Sequence, residues 1–287
     1  MIINWYPGHM AKAKRLIEAN LKVIDVVIEL VDARIPWSST NPMISQLIGQ
    51  KPSVVVLNKA DLADAAVLDD WVRYYKSKGR LVMALNSKDG KGVKSLMALV
   101  RRLAAPKLEH WRARGLKNRS VRTMILGIPN VGKSTLINKL ARRSAAKTAD
   151  KPGETKGKQW VHIGDQLDLL DTPGVLWPKL ENQVSAYRLA ATGAISDTVF
   201  DMETVITQLI TELSTWYPDE VKTRFKLDSL CEAPLDTIEA IGRKRGCIVA
   251  GGGVDLEKTY KLILKEYREG KIGRISLDRV AEAGEDA

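Results

Sequence analysis

Short apolar runs, each ending in polar or glycine-rich residues, recur through residues 1–178 and are typical of buried strands. They predict strands at Val23–Val31, Ser53–Leu57, Leu81–Leu85, Val121–Leu126, Gln159–Ile163 and Leu167–Leu170. Between them, apolar residues recur at helical spacing over Ala65–Lys78, Val93–Leu103 and Lys133–Ala141. Strands that alternate with helices predict an α/β fold, in which a mostly parallel sheet is flanked by helices.

The pattern changes after Trp177, where strand-like runs give way to helical periodicity. Amphipathic helices are predicted at Val184–Ala191, Thr204–Trp216, Pro234–Arg243 and Leu256–Glu269. We therefore expect two domains, an α/β domain over residues 1–178 and a smaller, all-helical C-terminal domain over residues 179–287.

The stretch GIPNVGKST at residues 127–135 contains the complete G-x-x-x-x-G-K-[ST] pattern of nucleoside triphosphate-binding loops. It lies between a predicted strand and a predicted helix, where backbone N–H groups can surround an anion. We expect Lys133 to reach the β- and γ-phosphates and the Ser134 hydroxyl to ligate Mg²⁺. The residues of this loop expected to contact the nucleotide are Asn130, Val131, Gly132, Lys133, Ser134 and Thr135.

The sequence DTPG at residues 171–174 ends the last predicted strand. Beside a phosphate-binding loop, Asp171 is placed to support Mg²⁺ from its second coordination shell. Gly174 lets the backbone approach the γ-phosphate, so that its N–H can sense whether that group is present.

The sequence NKAD at residues 58–61 ends the strand Ser53–Leu57 and predicts the base that is bound. A single carboxylate accepts two hydrogen bonds from guanine, whereas adenine offers no matching pair of donors. Asp61 is therefore the expected guanine reader, with Lys59 covering the ring, Asn58 bracing the loop and Ala60 within it. Asn86 and Ser87, after the next strand, are expected to lie beside the guanine O6.

These motifs occur in an unusual order. In ordinary GTPases the phosphate-binding loop comes first and the guanine-reading loops come last. Here NKAD precedes GIPNVGKST and DTPG, which predicts a circularly permuted P-loop GTPase domain.

The charge of the chain suggests a polyanionic partner. The 287 residues include 45 Lys and Arg against 34 Asp and Glu, a formal net charge of +11. Between Arg101 and Arg122 there are eight basic residues, one acid and Trp111. This stretch is either a basic surface connector between two strands or a phosphate-backbone contact whose exposed tryptophan stacks on a base.

The chain resembles the ribosome biogenesis GTPase A family (YlqF/RbgA), which are circularly permuted GTPases. The motifs that carry the resemblance span nearly the whole length: WYPGHMAKA, VDARIP, NKAD, GIPNVGKST, PGETKG, DTPG and GKIGRISLD. The resemblance implies a cytosolic enzyme that acts late in large ribosomal subunit assembly, with a helical C-terminal domain that contacts RNA.

The resemblance also suggests residues for hydrolysis. It makes Thr155 an expected Mg²⁺ ligand and makes His9 the favoured residue to position the attacking water, because Val175 stands where many GTPases have glutamine. A packing residue at the start of a helix is the alternative for His9. Asn130 resembles the asparagine of potassium-dependent GTPases, in which it helps to bind K⁺; a loop-stabilising asparagine is the alternative.

The leading hypothesis is a GTPase that uses GTP, GDP and Mg²⁺, with K⁺ as a further candidate ion, and that binds large-subunit rRNA and ribosomal proteins in the GTP state. The alternative is a GTP-gated RNA-binding module without stimulated turnover. The two cysteines fit neither a disulfide framework nor a close-spaced zinc site, and no signal peptide or membrane span is visible. We therefore expect a cytoplasmic monomer that binds neither DNA nor membranes.

Overall fold

The computed structural model describes residues 8–115, 119–144, 159–163, 167–172, 174–176 and 182–284. The strands in this part of the chain are β1 Val26–Asp32, β2 Ser53–Asn58, β3 Val82–Ala84, β4 Val121–Gly127, β5 Gln159–Ile163 and β6 Leu167–Asp171. They form one sheet in the order β3-β2-β1-β4-β6-β5. Every neighbouring pair is parallel except β5 and β6, which are antiparallel at one edge.

Parallel strands require crossover connections, and helices provide most of them. These helices are α1 Gly8–Leu21, α2 Pro42–Ile48, α3 Ala65–Ser77, α4 Val93–Ala113 and α5 Lys133–Ser144. One cluster of buried apolar side chains joins Ile17 of α1 and Ile44 of α2 to Met124 of β4. A second cluster joins Trp71 of α3 to Val55 of β2. Both clusters hold the carboxyl ends of the parallel strands in fixed positions.

The second compact unit comprises residues 182–277 of the described chain. Its helices are α6 Gln183–Thr192, α7 Met202–Trp216, α8 Pro218–Phe225, α9 Pro234–Lys244 and α10 Leu256–Arg268. Asn182, Asp201 and Asp255 cap α6, α7 and α10 through side-chain oxygens. The predicted helical character of this half of the chain is therefore present in the structure.

The C-terminal residues group differently from the expected domain 179–287. Residues 278–284 belong to the compact unit that contains the sheet. The Asp278 carboxylate accepts hydrogen bonds from the backbone N–H and the hydroxyl of Ser38, both at 2.7 Å. Ala283 is buried in the same cluster as Trp71. These contacts attach the end of the chain to the sheet unit after the helical unit is complete.

The strands lie where the apolar runs predict them, but several helices differ. The pattern does not predict α2, α8 or the 3₁₀-helix Val280–Gly284, because segments of five to eight residues show too few periods to be recognised. Among the described residues, no helix is both long and apolar enough to cross a membrane.

The expectation of an exposed aromatic in the basic stretch is wrong. Helix α4 continues to Ala113 instead of ending at Leu103, so most of the stretch is helical. Trp111 is only 7% exposed. The guanidinium carbon of Arg119 lies 3.9 Å from its ring centroid and the Lys107 ammonium lies 5.3 Å from it. The indole is therefore engaged by cations of the same segment and is not available to stack on a base.

Candidate functional site

The phosphate-binding loop connects β4 to α5. Asn130 and Gly132 adopt positive φ angles of 55° and 106°, so the backbone turns sharply before the helix begins. Lys133 is 8% exposed, and its ammonium donates to the carbonyl oxygens of Gly127 at 3.1 Å and Ile128 at 2.8 Å. The neighbouring side chains of Ser134 and Thr135 are exposed on the first turn of α5. The loop therefore presents a buried cation and an exposed helix N-terminus at the same point.

The DTPG segment lies beside this loop because β6 pairs with β4. A Cβ atom placed on Gly174 would be 2.6 Å from the Pro129 Cα and 3.0 Å from the Lys133 ammonium, so only glycine fits there. The Thr172 hydroxyl donates to the Ile125 carbonyl oxygen at 2.6 Å. The Gly174 backbone is thus held directly against the loop, as its predicted role requires.

Asn58 connects three loops that are distant in sequence. It ends β2 and is fully buried. Its amide nitrogen donates to the Val131 carbonyl oxygen at 2.8 Å, and its amide oxygen accepts from the Ser87 N–H at 3.0 Å. A Cβ atom on Gly132 would lie 2.4 Å from the same amide nitrogen, so this approach also requires glycine. The bracing role predicted for Asn58 thus extends to the phosphate-binding loop.

The loop after β3 is ordered by local hydrogen bonds. The Asn86 side-chain oxygen accepts from the Lys88 N–H at 2.8 Å. Ser87 is buried, and its backbone N–H donates the hydrogen bond that the Asn58 amide oxygen accepts. Leu85, just before this loop, accepts through its carbonyl oxygen from the Ala60 N–H at 3.2 Å. Two bonds therefore hold this loop against NKAD.

Asp61 is exposed on the surface beside this loop, where its carboxylate is accessible to a base. Lys59 has a positive φ of 61° and donates from its ammonium to the Asp32 carboxylate at 2.8 Å. Asp32 ends β1, the strand between β2 and β4.

A buried ion network fixes this lysine. Arg34 is 2% exposed and donates to the two carboxylate oxygens of Asp32 from Nε at 3.0 Å and Nη2 at 2.8 Å. Burial would raise the pKa of Asp32, but the charges and hydrogen bonds of Arg34 and Lys59 outweigh it and hold that pKa well below its usual range. The carboxylate is therefore ionised and orients the Lys59 side chain.

From the sequence, VDARIP is recognised only as a family motif, and no role is predicted for Asp32 and Arg34 within it. No role is predicted for Asn41 either, whose amide nitrogen donates to the Val175 carbonyl oxygen at 3.0 Å. An aspartate at the end of a buried strand and an asparagine directly before proline are the signals that mark these positions.

Some expected residues lie wholly or partly outside the described residues. The backbone of His9 belongs to α1 and that of Asp171 ends β6, but their side chains are not among the described ones. Thr155 lies outside the described residues altogether. Val175, which replaces the usual glutamine, is 2% exposed and packs in the apolar cluster of α1 and α2.

The fold thus brings the motifs together along the edge of the sheet that is formed by the carboxyl ends of its parallel strands. The carboxyl ends of β2, β4 and β6 carry NKAD, GIPNVGKST and DTPG, and that of β3 leads to Asn86 and Ser87. This edge is the place where open α/β sheets bind ligands. Along the chain the guanine-reading loops come before the phosphate-binding loop, which is the permuted order.

Known proteins resemble this chain over almost its whole length. A family model described as "50S ribosome-binding GTPase" matches residues 122–225. The chain is 48% identical over 284 residues to "Ribosome biogenesis GTPase A" of Priestia megaterium, covering 99% of both chains. It is 47% identical over 285 residues to the protein of the same name from Bacillus cereus, covering 99% of this chain and 96% of that one.

A solved structure supports the fold. GDP-bound YlqF from Thermotoga maritima has a TM-score of 0.70 and 26% identity, covering 93% of this chain and 100% of its own. The family model begins within β4, so it includes the phosphate-binding loop and DTPG but not the guanine-reading loops before them. With this order of motifs and identity of 47–48% over almost the whole length, the chain belongs to the ribosome biogenesis GTPase A family of circularly permuted GTPases.

Proposed function

We propose that this GTPase acts late in the assembly of the large ribosomal subunit, binds rRNA and ribosomal proteins in its GTP state and leaves after hydrolysis. The observation that carries the proposal is the Asn58 side chain, which links the guanine-reading loops to the phosphate-binding loop in one site. The relatives are named "Ribosome biogenesis GTPase A", which supports the ribosome as the partner. Their bacterial source supports a cytoplasmic location, and we propose a monomer.

In this proposal Asp61 reads guanine, Lys133 binds the β- and γ-phosphates, and Gly174 senses the γ-phosphate. Hydrolysis is slow without a partner because the buried Val175 side chain cannot orient water. We propose that His9 positions the attacking water and that binding of the large subunit moves its side chain to the γ-phosphate. Replacing His9 with alanine should abolish subunit-stimulated turnover and leave GDP affinity unchanged, whereas unchanged stimulated turnover would exclude this role.

Magnesium fits the oxygen donors available at the loop. Ser134 is exposed on the first turn of α5, directly after Lys133 in the chain. Asp171 ends β6, the strand beside the one that leads into the loop. Hydroxyl and carboxylate oxygens are the ligands that Mg²⁺ prefers. We therefore propose that Ser134 and Thr155 ligate the ion, that Asp171 supports it, and that it neutralises charge on the phosphates when bound.

Potassium is proposed at Asn130, whose side chain is exposed in the same loop. Its positive φ angle of 55° lies in the sharp turn of the phosphate-binding loop, and turns of this kind form concave sites that bind anions. Stimulated hydrolysis that is equally fast in potassium and sodium buffers would exclude this site.

The most suitable RNA-contacting surface in the sheet unit is the basic face of α4. Arg101, Arg102, Arg112 and Arg114 are exposed, and their side chains make no ion pair or hydrogen bond with any described residue. The helical unit also has a stretch rich in basic residues, Arg243–Arg274, but these are more often engaged in ion pairs. Arg245 pairs with Glu266, and Arg268 pairs with Asp197. Unpaired guanidinium groups gain more from phosphates, and we therefore assign the salt-sensitive contact to α4.

Sedimentation with purified ribosomal subunits tests the proposal. We expect the protein to sediment with large subunits in the presence of a non-hydrolysable GTP analogue and to remain in the supernatant with GDP. Replacement of Arg101, Arg102 and Arg112 by alanine should weaken this binding and lower the slope of log affinity against log salt by roughly 0.7–0.9 per lost phosphate contact. Arg73→Ala, which removes an exposed arginine of α3 that is paired with Asp70, is the matched control. Sedimentation that does not depend on the nucleotide would contradict GTP-dependent binding to the subunit. An unchanged salt slope in the α4 variant would contradict the assignment of the RNA contact to α4.

The alternative function is a GTP-gated RNA-binding module. It predicts saturable, nucleotide-dependent binding to the subunit without faster hydrolysis. GTP turnover measured with increasing subunit concentration separates the two, because only an assembly factor released by hydrolysis requires stimulation.

A further inference from the structure

Asn41 uses one buried amide for two purposes. It is 2% exposed and lies between β1 and α2. Its side-chain oxygen accepts from the Met43 N–H at 3.0 Å and thereby caps α2. Its side-chain nitrogen donates to the Val175 carbonyl oxygen at 3.0 Å. A residue of the β1–α2 connection is therefore bonded to the residue that follows the DTPG glycine.

Val175 is held through both of its backbone polar groups and through its side chain. Its N–H donates to the Gly127 carbonyl oxygen at 3.2 Å, at the start of the phosphate-binding loop. Its carbonyl oxygen accepts from Asn41, and its side chain is buried in a cluster that includes Ile44 and Ile48 of α2. The residue after Gly174 is thus attached to both the phosphate-binding loop and α2.

This attachment bears on the γ-phosphate because Gly174 lies against the same loop, within reach of the Lys133 ammonium. In GTPases the glycine N–H of D-x-x-G bonds the γ-phosphate, and the segment that follows changes its conformation when that bond is lost. With Val175 fixed, the orientation of Gly174 relative to Pro129 is set before the nucleotide arrives. Such preorganisation improves binding because little has to be ordered at that moment.

We infer that Asn41 is a positioning residue for γ-phosphate recognition, which it supports by holding the Val175 backbone. This inference rests on the proposed role of Gly174. It predicts that loss of the Asn41–Val175 hydrogen bond weakens the binding of GTP but not of GDP, because GDP makes no use of the Gly174 N–H.

Asn41→Asp is the most direct test. The aspartate oxygen still accepts from the Met43 N–H and caps α2, but the side chain has no N–H to donate to the Val175 carbonyl oxygen. We expect affinity for a non-hydrolysable GTP analogue to fall about tenfold and affinity for GDP to change less than about twofold, measured by isothermal titration calorimetry. GTP turnover at subsaturating substrate should fall by the same factor as the affinity for the analogue.

Two further variants separate the loss of this hydrogen bond from poor folding and from the added charge. Asn41→Ser keeps a capping oxygen without a negative charge. Its hydroxyl is one bond closer to the backbone than the Asn41 amide nitrogen and is too short to donate to the Val175 carbonyl oxygen, so it should give the same selective loss if the aspartate variant is poorly folded. Asn182→Asp is the matched control, because Asn182 caps α6 through a 3.1 Å bond from the Ser185 N–H. It should bind both nucleotides as the unaltered protein does.

The outcomes separate the inference from the proposed function. If Asn41→Ser binds both nucleotides like the unaltered protein, or loses affinity for both equally, Asn41 has no specific role towards the γ-phosphate and the inference is wrong. The proposed GTPase function survives either result. If the unaltered protein itself binds GDP and the GTP analogue with equal affinity, the proposed switch fails, and the inference fails with it.

Discussion

Asp32→Asn removes the centre of the ion network beside the guanine-reading loop and should be among the costliest isosteric changes in the sheet unit. The carboxylate is 1% exposed and receives Nε and Nη2 of Arg34 and the ammonium of Lys59, at 2.8–3.0 Å. Asparagine has nearly the same shape but only one acceptor oxygen and no charge. The guanidinium of Arg34, 2% exposed, loses the counter-charge that compensates its burial.

The structure gives the size of the effect. Removing one partner of a buried ion pair costs about 3–5 kcal/mol, because the other charge stays desolvated. The Lys59 contribution is smaller, since that side chain is 22% exposed. We therefore expect the free energy of unfolding to fall by about 3–4 kcal/mol, out of a total that is typically about 5–15 kcal/mol. Affinity for GDP should fall as well, because Lys59 loses the group that orients it.

Urea denaturation at pH 7, followed by circular dichroism, measures this loss. Asp70→Asn is the control, because Asp70 forms an exposed ion pair with Arg73 on α3 and its removal should cost less than about 1 kcal/mol. The folded-state pKa of Asp32 is lowered, so its stabilisation is present above the unfolded-state pKa of about 3.9 and is lost as the pH falls through the folded-state pKa. The difference between the unaltered protein and Asp32→Asn should therefore be constant from about pH 7 to 5 and shrink below about pH 4. A loss below about 1 kcal/mol at pH 7 would refute the reasoning.

Three further changes test other parts of the structure. Asn58→Ala removes the two side-chain bonds from Asn58 to Val131 and Ser87 and should weaken GDP binding about tenfold or more by calorimetry; unchanged affinity would show that the loops hold each other without it. Val175→Gln supplies the residue found in many GTPases, yet it should lower the melting temperature without accelerating hydrolysis, because its side chain replaces one that is buried in an apolar cluster. Trp111→Ala should cost about 3–5 kcal/mol in unfolding free energy, and a loss of RNA affinity at unchanged stability would contradict the structural role of this indole.

The apolar pattern and the motifs were sufficient to predict the sheet and the loops at its edge, because strand ends carry the chemistry. The bonds that join these loops were not predictable. Asn58 pairs with Val131 and Ser87 across 73 and 29 residues, and no local pattern encodes such a partner. For Trp111 the sequence shows a tryptophan among arginines, but its burial depends on Arg119 and Lys107 folding over the ring. Asp278 likewise pairs with Ser38 at a separation of 240 residues.

Circular permutation changes which part of the chain follows Gly174, and therefore which segment a nucleotide-dependent conformational change can affect directly. The sheet order places the loops together whatever their order in sequence, so recognition of guanine and phosphate is preserved. What differs is the segment after Gly174, which continues into the helical unit within a few residues. Since Asn41 and Gly127 hold Val175, a conformational change triggered by loss of the γ-phosphate at Gly174 must either break these bonds or leave Val175 in place and be confined to the residues beyond it. The first case makes the bonds a threshold that γ-phosphate loss has to exceed, and this is why their removal should alter the response to GTP before it alters the affinity for GDP.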